Sequence, residues 1–421
     1  TTQDAVVGDV ITVAGDYSGS GTLLVDVDTM TDMVDELVIT GNVTGGTTTV
    51  VVNNLSPHGA SGNTLRVISV GGTSAADNFV LDGEYLTAGA FDYSLVQQGS
   101  DFVLAGAVNS TGALHQATPM ILGAAFNRLP TLGQRVRQRQ WAGTNRAKGV
   151  LEPSIGGWLS VHGNSLDAAT STGSNTESTT WSLQAGADFA VEPGDQGQWV
   201  MGVTGQYGRL SSTVTSALGF GTIDAEGFGV GMTATWYGNA GTYVDLQGQV
   251  NWIDSDFASS AAGSLAEGEL SKAYALSAEV GHRFAMDQNT ALVPQAQLTA
   301  GRVDGAGFTD SANNVVDLGN NSTALVRVGL AYEYETGGNR DKLYVIGNIL
   351  HDFSSDSSVN VAGADLSTSA GEATWGEIGV GGSVTMNDTT TLYGEASYRS
   401  AFSGGSDNNG LALTTGLRMQ W

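Results

Sequence analysis

The sequence predicts an all-β protein: a 12-stranded antiparallel transmembrane β-barrel with a central α-helix in the lumen, preceded by a short β-helix (solenoid) segment. Composition and alternation predict this class. Of 421 residues, 60 are Gly, 6 are Pro and none is Cys, as expected for strands joined by turns rather than packed helices. Residues 411–421 alternate large apolar side chains with small or polar ones, and successive strand side chains point to opposite faces.

The hydropathy pattern is the one expected if strands, rather than helices, cross the membrane. No stretch approaches the roughly 20 continuous apolar residues that a membrane helix needs, and the mean hydropathy is only -0.03. In a barrel, half of the strand residues face lipid and half face a polar lumen, so the average resembles that of a soluble protein. The sequence starts at Thr1 without the basic and apolar regions of a signal peptide, so we expect a mature or truncated C-terminal fragment.

Charge divides the chain into three parts. Residues 1–101 carry 13 acidic residues and one basic residue, residues 102–151 carry six basic and no acidic residues, and the remainder carries 29 acidic and nine basic residues. The net charge of -26 argues against nucleic acid or anionic headgroups as partners of the bulk surface.

The first part has short strands separated by Gly and Asn. They are expected at residues 10–13, 22–27, 36–40, 48–53, 65–70, 79–81, 93–96 and 102–104. This spacing suits either a sandwich or a parallel β-solenoid, and periodicity does not choose between them.

Four runs in this part carry a family resemblance: Val13-Ala-Gly-Asp-Tyr-Ser-Gly19, Asp35-Glu-Leu-Val-Ile-Thr-Gly-Asn42, Val50-Val-Val-Asn-Asn54 and Ala90-Phe-Asp-Tyr-Ser-Leu-Val96. They resemble the C-terminal β-helix end of the passengers of autotransporters, the type V secretion proteins. The resemblance covers about the first hundred residues. It implies an autochaperone region, in which a stable last rung seeds folding of the passenger.

The character of the sequence changes from Leu114 to about Gly143, where a basic helix is expected. Thr118 and Pro119 form a good helix start, and Pro130 should kink or break the helix. Its basic residues could form a solvated face, but the acidic barrel that follows favours a helix inside the pore. The segment also resembles the linker helix that autotransporters leave threaded through their pore. The residues assigned to this pore helix are Arg128, Arg135, Arg137 and Arg139.

Twelve barrel strands of about ten residues or more are expected after residue 151. They lie at residues 158–166, 181–191, 199–210, 225–237, 243–253, 272–284, 291–302, 324–334, 342–353, 374–384, 391–399 and 411–421. An even number of such strands closes without exposed edges.

Alternation assigns the charged side chains of these strands to the lumen, because a charge facing lipid at the midplane would cost about 2–4 kcal/mol. The strand at 342–353 alternates poorly, so its faces cannot be assigned from the sequence. The expected lumen-facing charges are Asp188, Asp245, Glu279, Arg283, Arg327, Glu333, Glu377, Glu395 and Arg399.

The barrel region carries a second resemblance. The runs 227–238, 242–250, 274–284, 294–298 and 392–398 closely resemble autotransporter β-domains, and together these similarities extend over most of residues 152–421. The division expected is a passenger β-helix and autochaperone region at 1–113, a pore-threading linker at 114–150 and a translocator barrel at 151–421.

The end of the chain resembles the insertion signal read by the barrel-assembly machinery. Leu413, Leu417, Met419 and Trp421 share one face and stop on an aromatic residue. The resemblance implies an outer-membrane protein of a Gram-negative bacterium, with its N-terminal region at the cell surface. The partners implied are outer-membrane lipid, the barrel-assembly machinery, periplasmic chaperones and the protein's own passenger.

Signatures of catalysis are lacking in the sequence. There is no His-Glu-x-x-His, no Gly-x-Ser-x-Gly and no Cys ligand set, and the five His are widely separated, so no enzyme, metal or cofactor is expected. Some autotransporters cut their own linker at an Asn-Asn pair, which Asn127 and Asn145 do not form. Two alternatives stay open: a porin-like channel with a surface adhesin or plug domain, and a catalytic barrel.

Overall fold

The computed structural model describes residues 4–136, 155–191, 194–336, 341–353, 356–368, 373–387, 389–402 and 408–420. In this part of the chain a β-solenoid is followed by two short helices and then by a closed barrel. Neither described helix is long and apolar enough to cross a membrane.

The N-terminal part is a solenoid rather than a sandwich, because its rungs pair in parallel. Its strands are β1 (Val10–Val13), β2 (Gly21–Asp28), β3 (Met33–Val34), β4 (Glu36–Ile39), β5 (Thr48–Asn54), β6 (Leu65–Val70), β7 (Phe79–Leu81), β8 (Leu86–Ala88), β9 (Phe91–Gln98) and β10 (Asp101–Val108). Strands β1, β4 and β6 form one parallel ladder, and β2, β5 and β7 form the other. The antiparallel strands β8, β9 and β10 close the last rung, because β10 also pairs with β6.

The predicted helix starts earlier than expected. Helix α1 (Ser110–Phe126) begins after Asn109, whose side chain accepts a hydrogen bond from the amide of Gly112 at 2.9 Å. The start expected at Thr118 and Pro119 was wrong: Pro119 lies inside α1, and the Thr118 hydroxyl donates to the Leu114 carbonyl at 2.9 Å. Packing on almost every side of α1 outweighs the local preference of Pro.

The expected break at Pro130 is confirmed. Helix α1 ends at Phe126, and a second helix, α2 (Leu132–Val136), follows the proline. Thr131 caps α2 with a reciprocal pair: its hydroxyl accepts from the Gln134 amide, and the Gln134 side chain accepts from the Thr131 amide, each at 3.1 Å. Arg137 and Arg139 lie outside the described residues.

The barrel has the twelve strands predicted. They are β11 (Ile155–Ala169), β12 (Asn175–Ala190), β13 (Gly197–Ser216), β14 (Gly219–Gly238), β15 (Thr242–Ser259), β16 (Gly263–His282), β18 (Thr290–Asp304), β20 (Val315–Glu335), β21 (Lys342–Asp352), β24 (Ala373–Thr385), β25 (Thr390–Ala401) and β26 (Asn409–Gln420). Short strands extend this sheet: β17 (Phe284–Ala285), β19 (Gly307–Thr309), β22 (Ser357–Val361) and β23 (Ala364–Thr368).

Every neighbouring pair in the barrel is antiparallel, and the first strand closes on the last. Gly156 pairs with Gln420 and Asp167 pairs with Asn409, which joins β11 to β26. On the far side, β18 pairs with β20 along its full length. Closure leaves none of these twelve strands with an open edge, as a membrane barrel requires.

The strand that alternation could not orient is β21. Lys342, Tyr344 and Asn348 point into the barrel, while Leu343 and Ile349 face outward at 62% and 60% exposure. The inward set also contains Ile346 and Leu350. These apolar side chains pack inside the barrel, Leu350 against Trp375, so the expected contrast between polar and apolar faces is lost.

One hydrophobic cluster runs through both halves of the molecule. It contains solenoid residues such as Val67 and Leu104, α1 residues such as Leu114 and Leu122, and barrel residues such as Ile253. The solenoid, α1 and one end of the barrel therefore share a continuous apolar core.

Candidate functional site

The candidate site is the barrel lumen together with residues 110–136, here called the pore segment. Apolar contacts along α1 seal the barrel from its mouth inward. Leu114 lies over Gly221 and Phe126 lies over Gly227, where an added Cβ would come within 2.8 and 2.5 Å of the respective side chain. Glycine in these strands is what allows the helix to approach the wall closely.

A buried histidine belongs to the same seal. The ring of His115 is fully buried, with the rings of Phe257 and Phe308 centred 5.7 and 5.6 Å away. Asp310 lies 4.0 Å from its Nε2, and neither ring nitrogen has a hydrogen-bond partner among the described residues. Because the rings of Phe257 and Phe308 pack against it, His115 acts as a space-filling side chain in the apolar contact between α1 and the barrel.

Polar contacts hold the rim of α1 to the barrel. The Thr111 hydroxyl bonds to that of Ser259 at 3.0 Å, and the Gln116 amide donates to the Ser367 carbonyl at 2.9 Å. Farther in, Asn127 ends α1 with its amide donating to the carbonyl of Tyr274 at 3.1 Å. These contacts join α1 to strands on different sides of the pore.

The turn between the helices exposes carbonyl groups that the lumen wall satisfies. Asn251 donates to the Phe126 carbonyl at 2.9 Å, and Gln247 donates to the Pro130 carbonyl at 2.7 Å. Both donors point inward from β15. They supply partners for helix-end and turn carbonyls that have none within the helix.

Helix α2 brings a buried ion pair to the wall. The Arg135 guanidinium bonds to the Asp245 carboxylate, and both side chains are 0% exposed. The Tyr393 hydroxyl donates to the Arg135 carbonyl at 2.8 Å, and the Leu132 amide donates to Glu279 at 3.1 Å. The short helix is therefore fixed at both ends by several strands.

Arg128 and Gln134 reach the opposite wall. Arg128 donates to Asn164 at 3.2 Å and lies 3.8 Å from the Glu377 carboxylate. Gln134 donates to Glu395 at 2.7 Å. The structure thus brings two of the arginines assigned to the pore helix against acidic lumen residues.

The lumen charges also pair with one another. Arg327 lies 3.4 Å from Glu279 and donates to Gln297 and Asn348, and Asn348 donates to Glu377 at 2.7 Å. Near the far end of the pore, Arg283 donates to Glu333 at 3.2 Å.

The other residues assigned to the lumen also face inward. Asp188 is 3% exposed, and the guanidinium of Arg399 lies 5.1 Å from the centre of the Trp375 ring. The pore segment and the wall converge on four carboxylates: Asp245, Glu279, Glu377 and Glu395.

Three tyrosines of the site were not singled out in the sequence for this role. Tyr243, Tyr344 and Tyr393 point into the lumen, and their hydroxyls bond to Glu279, Glu395 and the Arg135 carbonyl. Each ring lies over a glycine of a neighbouring strand: Gly281, Gly381 and Gly416. This pairing of a tyrosine with a glycine on the next strand can be recognised only once the strand register is known.

Two small cavities lie beside the pore segment in the part of the lumen that the structure describes. Cavities of about 170 and 80 Å³ lie against it, and Ala124, Arg128 and Gln134 line both. Such volumes hold a few water molecules but no polypeptide. The described residues contain no group of three or more His, Asp or Glu able to hold a metal ion.

The residues assigned to the insertion signal lie on the outer face of the last strand. Leu413 and Met419 are 54% and 44% exposed, and Leu417 points the same way. Thr414 and Arg418 point inward. Trp421 lies outside the described residues.

Comparison with known proteins covers both halves of the chain. The family model of the autotransporter beta-domain matches residues 157–397, more than half of the chain, and that of the autochaperone domain type 1 matches residues 2–95. The adhesin BmaC autotransporter of Brucella suis is 30% identical across 98% of this chain and 13% of its own length. The probable autotransporter YfaL of Escherichia coli is 27% identical across 94% of this chain and 34% of its own length. The chain therefore spans only part of these relatives.

Solved structures show the same fold. The transport unit of the autotransporter AIDA-I from Escherichia coli superposes with a TM-score of 0.60 at 16% identity, covering 75% of this chain and 100% of that one. The beta domain of the Bordetella autotransporter BrkA gives 0.53 at 20% identity, covering 64% of this chain and 100% of that one.

Proposed function

Because the chain belongs to the autotransporter family, as an outer-membrane translocator of a Gram-negative bacterium with its N-terminal region at the cell surface, we propose that its barrel exports the passenger and is then closed by the pore segment. The segment stays in the lumen as the last part of the exported chain. The activity of the passenger itself belongs to the longer protein, and no catalytic role is assigned to the translocator.

A single observation carries this proposal: residues 110–136 connect the solenoid to the interior of the barrel and bond to its wall at several levels. The contacts run from Thr111 at the mouth, through the Phe126 carbonyl, to Arg135, which pairs with Asp245 of β15. A chain pulled outward through the pore would come to rest in this position once these contacts form.

The role proposed for each part follows the division 1–113, 114–150 and 151–421. The first part seeds passenger folding, because a solenoid rung buries its faces only against a neighbour and a completed terminal rung provides one. The second part, with Arg128, Arg135, Arg137 and Arg139, occupies the pore. The third part supplies the wall, with the lumen charges as its contacts.

Single-channel conductance in planar bilayers tests the closure. The intact chain should conduct little, and a variant lacking residues 114–148 should conduct several times more, because the segment fills the lumen. A large and equal conductance in both proteins would overturn the proposal and favour the porin-like alternative.

We also propose that the barrel-assembly machinery, with periplasmic chaperones delivering the chain, recognises the outward face of β26. Its support is the row of Leu413, Leu417 and Met419 on the lipid side of the last strand. Deleting Trp421 should reduce the amount of heat-modifiable, folded barrel in outer-membrane fractions. Unchanged barrel levels in that variant would contradict the recognition.

A further inference from the structure

The pore segment does not fill the described lumen evenly. Helix α1 lies directly against β14 at Gly221 and Gly227, whereas both cavities beside the pore segment reach the wall at β11 and β12. Inward-facing residues of these two strands, such as Asn164 and Ser182, are half-buried although they point into a closed pore. Space that admits water or a small ion therefore lies along this part of the wall.

The two cavities follow one another along β11 and β12. The larger, of about 170 Å³, is lined by inward-facing residues within 166–168 and 176–178. The smaller, of about 80 Å³, is lined by residues within 162–164 and 180–184. The turn that joins these paired strands lies at the solenoid end of the barrel, beside Gln116 of α1. The larger cavity is therefore nearer the cell surface, and the smaller one is deeper.

Arg128 lies across the junction of the two cavities. It belongs to the turn that follows α1, and it lines both cavities. Its guanidinium donates to Asn164 of β11 at 3.2 Å and lies 3.8 Å from the Glu377 carboxylate of β24. Strands β25 and β26 separate β24 from β11 in the wall. One side chain therefore spans the lumen face of two strands, at the level where the larger cavity ends and the smaller one begins.

Of the three described residues of the pore segment that line both cavities, Arg128 has the side chain that is least held. Ala124 ends at its Cβ and has no alternative rotamer. The Gln134 side chain donates to Glu395 at 2.7 Å and accepts from the Thr131 amide at 3.1 Å. The Arg128 contacts are longer, and its side chain is 31% exposed. Because a partly exposed ion pair contributes little stability, this side chain can swing aside while the helices stay docked.

Arg128 also carries the charge at the junction. Among the described residues that line the smaller cavity, it is the one Arg, Lys, Asp or Glu. The larger cavity is balanced, so that loss of Arg128 leaves it with one net negative charge. Its ionisable lining consists of Arg128, Arg327, Arg399, Asp352, Glu377 and Glu395.

We propose that Arg128 is the gate residue of the closed translocator for small ions. Its side chain separates the larger cavity, reached from the cell surface, from the smaller cavity below it. The two cavities join when the guanidinium leaves Asn164, and the positive charge favours anions at the junction. The inference rests on the proposed closure of the pore by the pore segment, and it assigns which residue limits what the closed pore admits.

Introduced thiols test the gate, because the chain contains no Cys. Ser178→Cys reports on the larger cavity and Ser182→Cys on the smaller one, and both positions lie on β12. The folded full chain in detergent is treated with an anionic or a cationic methanethiosulfonate of similar size, and mass spectrometry follows the labelling rate. With Arg128 in place, the thiol at position 178 should react about tenfold faster than that at 182, because the rate scales with the fraction of open gates.

Arg128→Ala should raise the rate at position 182 by about tenfold and leave that at 178 unchanged. Arg128→Gln keeps a polar side chain but removes the charge, so it should shift the ratio of anionic to cationic labelling at 182 about fivefold toward the cation. The ratio cancels changes in the reactivity of the thiol itself. Arg209→Ala, on the outer face of the barrel, is the control and should change neither rate nor ratio.

Equal rates at the two positions in the presence of Arg128, or an unchanged rate at 182 in Arg128→Ala, would overturn the gate. The variant lacking residues 114–148 separates this result from a failure of closure. If the deletion raises the rate at 182 and Arg128→Ala does not, the pore segment closes the pore and Arg128 is not its gate. If neither change raises it, closure by the pore segment is contradicted as well. Heat-modifiable mobility identifies folded barrels in each preparation.

Discussion

Arg135 is the residue whose environment depends most on the closed pore. Its guanidinium is fully buried and pairs with Asp245, and its carbonyl accepts from Tyr393. A buried ion pair adds little stability compared with apolar groups of similar size, but removing one partner leaves an uncompensated charge. The pair therefore matters more for where the pore segment stops than for the stability of the barrel.

Arg135→Gln should weaken docking of the pore segment by about 3–5 kcal/mol, because Asp245 is left charged and buried. The double variant R135Q/D245N should recover part of that loss. Opening frequency in planar bilayers measures the effect and should follow the order R135Q, then the double variant, then wild type.

Arg209→Gln provides the matched control, since this arginine pairs with Glu226 on the outer face with 54% and 48% exposure. Exposed pairs contribute about 0–1 kcal/mol, so its opening frequency should equal that of wild type. If R135Q also behaved as wild type, the ion pair would have no part in closure.

Among the elements, α1 and the strands β13 and β14 are matched in shape. The helix approaches these strands at glycines, and Gly227 lies directly beneath Phe126. A side chain at this position would force the helix away from the wall, because packed interiors accept extra carbon atoms poorly. The fit depends on inward-facing glycines on the barrel side.

Gly227→Ala should destabilise the docked pore segment by about 1–3 kcal/mol while the barrel itself stays folded. The expected result is a higher conductance than wild type with unchanged heat-modifiable mobility. Gly347→Ala is the control, because an added Cβ there meets nothing within 4 Å. Equal conductance of the two variants would show that the contact with Phe126 is not limiting.

On the scale of the whole molecule, the shared hydrophobic cluster couples the solenoid to the barrel through α1. Folding of the last rung outside the cell and docking of the helix in the pore complete the same core. Each event then stabilises the other, which opposes return of the chain into the periplasm without an external energy source.

Leu104→Ala should therefore make the surface passenger sensitive to protease while barrel levels stay normal. Leu104 is fully buried in the solenoid core, and truncating such a leucine costs about 2–5 kcal/mol. Val96→Ala, on β9 with 39% exposure, should leave the passenger resistant. A resistant passenger in Leu104→Ala would refute the seeding role of the solenoid.

The sequence by itself determined which strands exist and which faces of most of them meet lipid. The period of a strand is two, and within the hydrocarbon of the membrane charges are tolerated on the lumen side only, so inward residues such as Asp245 and Glu279 can be assigned without coordinates. The break at Pro130 is equally local, since proline lacks the amide that a continuing helix requires.

The tertiary structure decided what local rules leave open. Helix α1 starts at Ser110 rather than Thr118 because the barrel packs around it, and β21 has an apolar inward face because Leu350 packs against Trp375. The pairing of Arg135 with Asp245 joins residues 110 positions apart. Such partners are set by strand register and by the depth of the pore segment, which exist only once the barrel has closed.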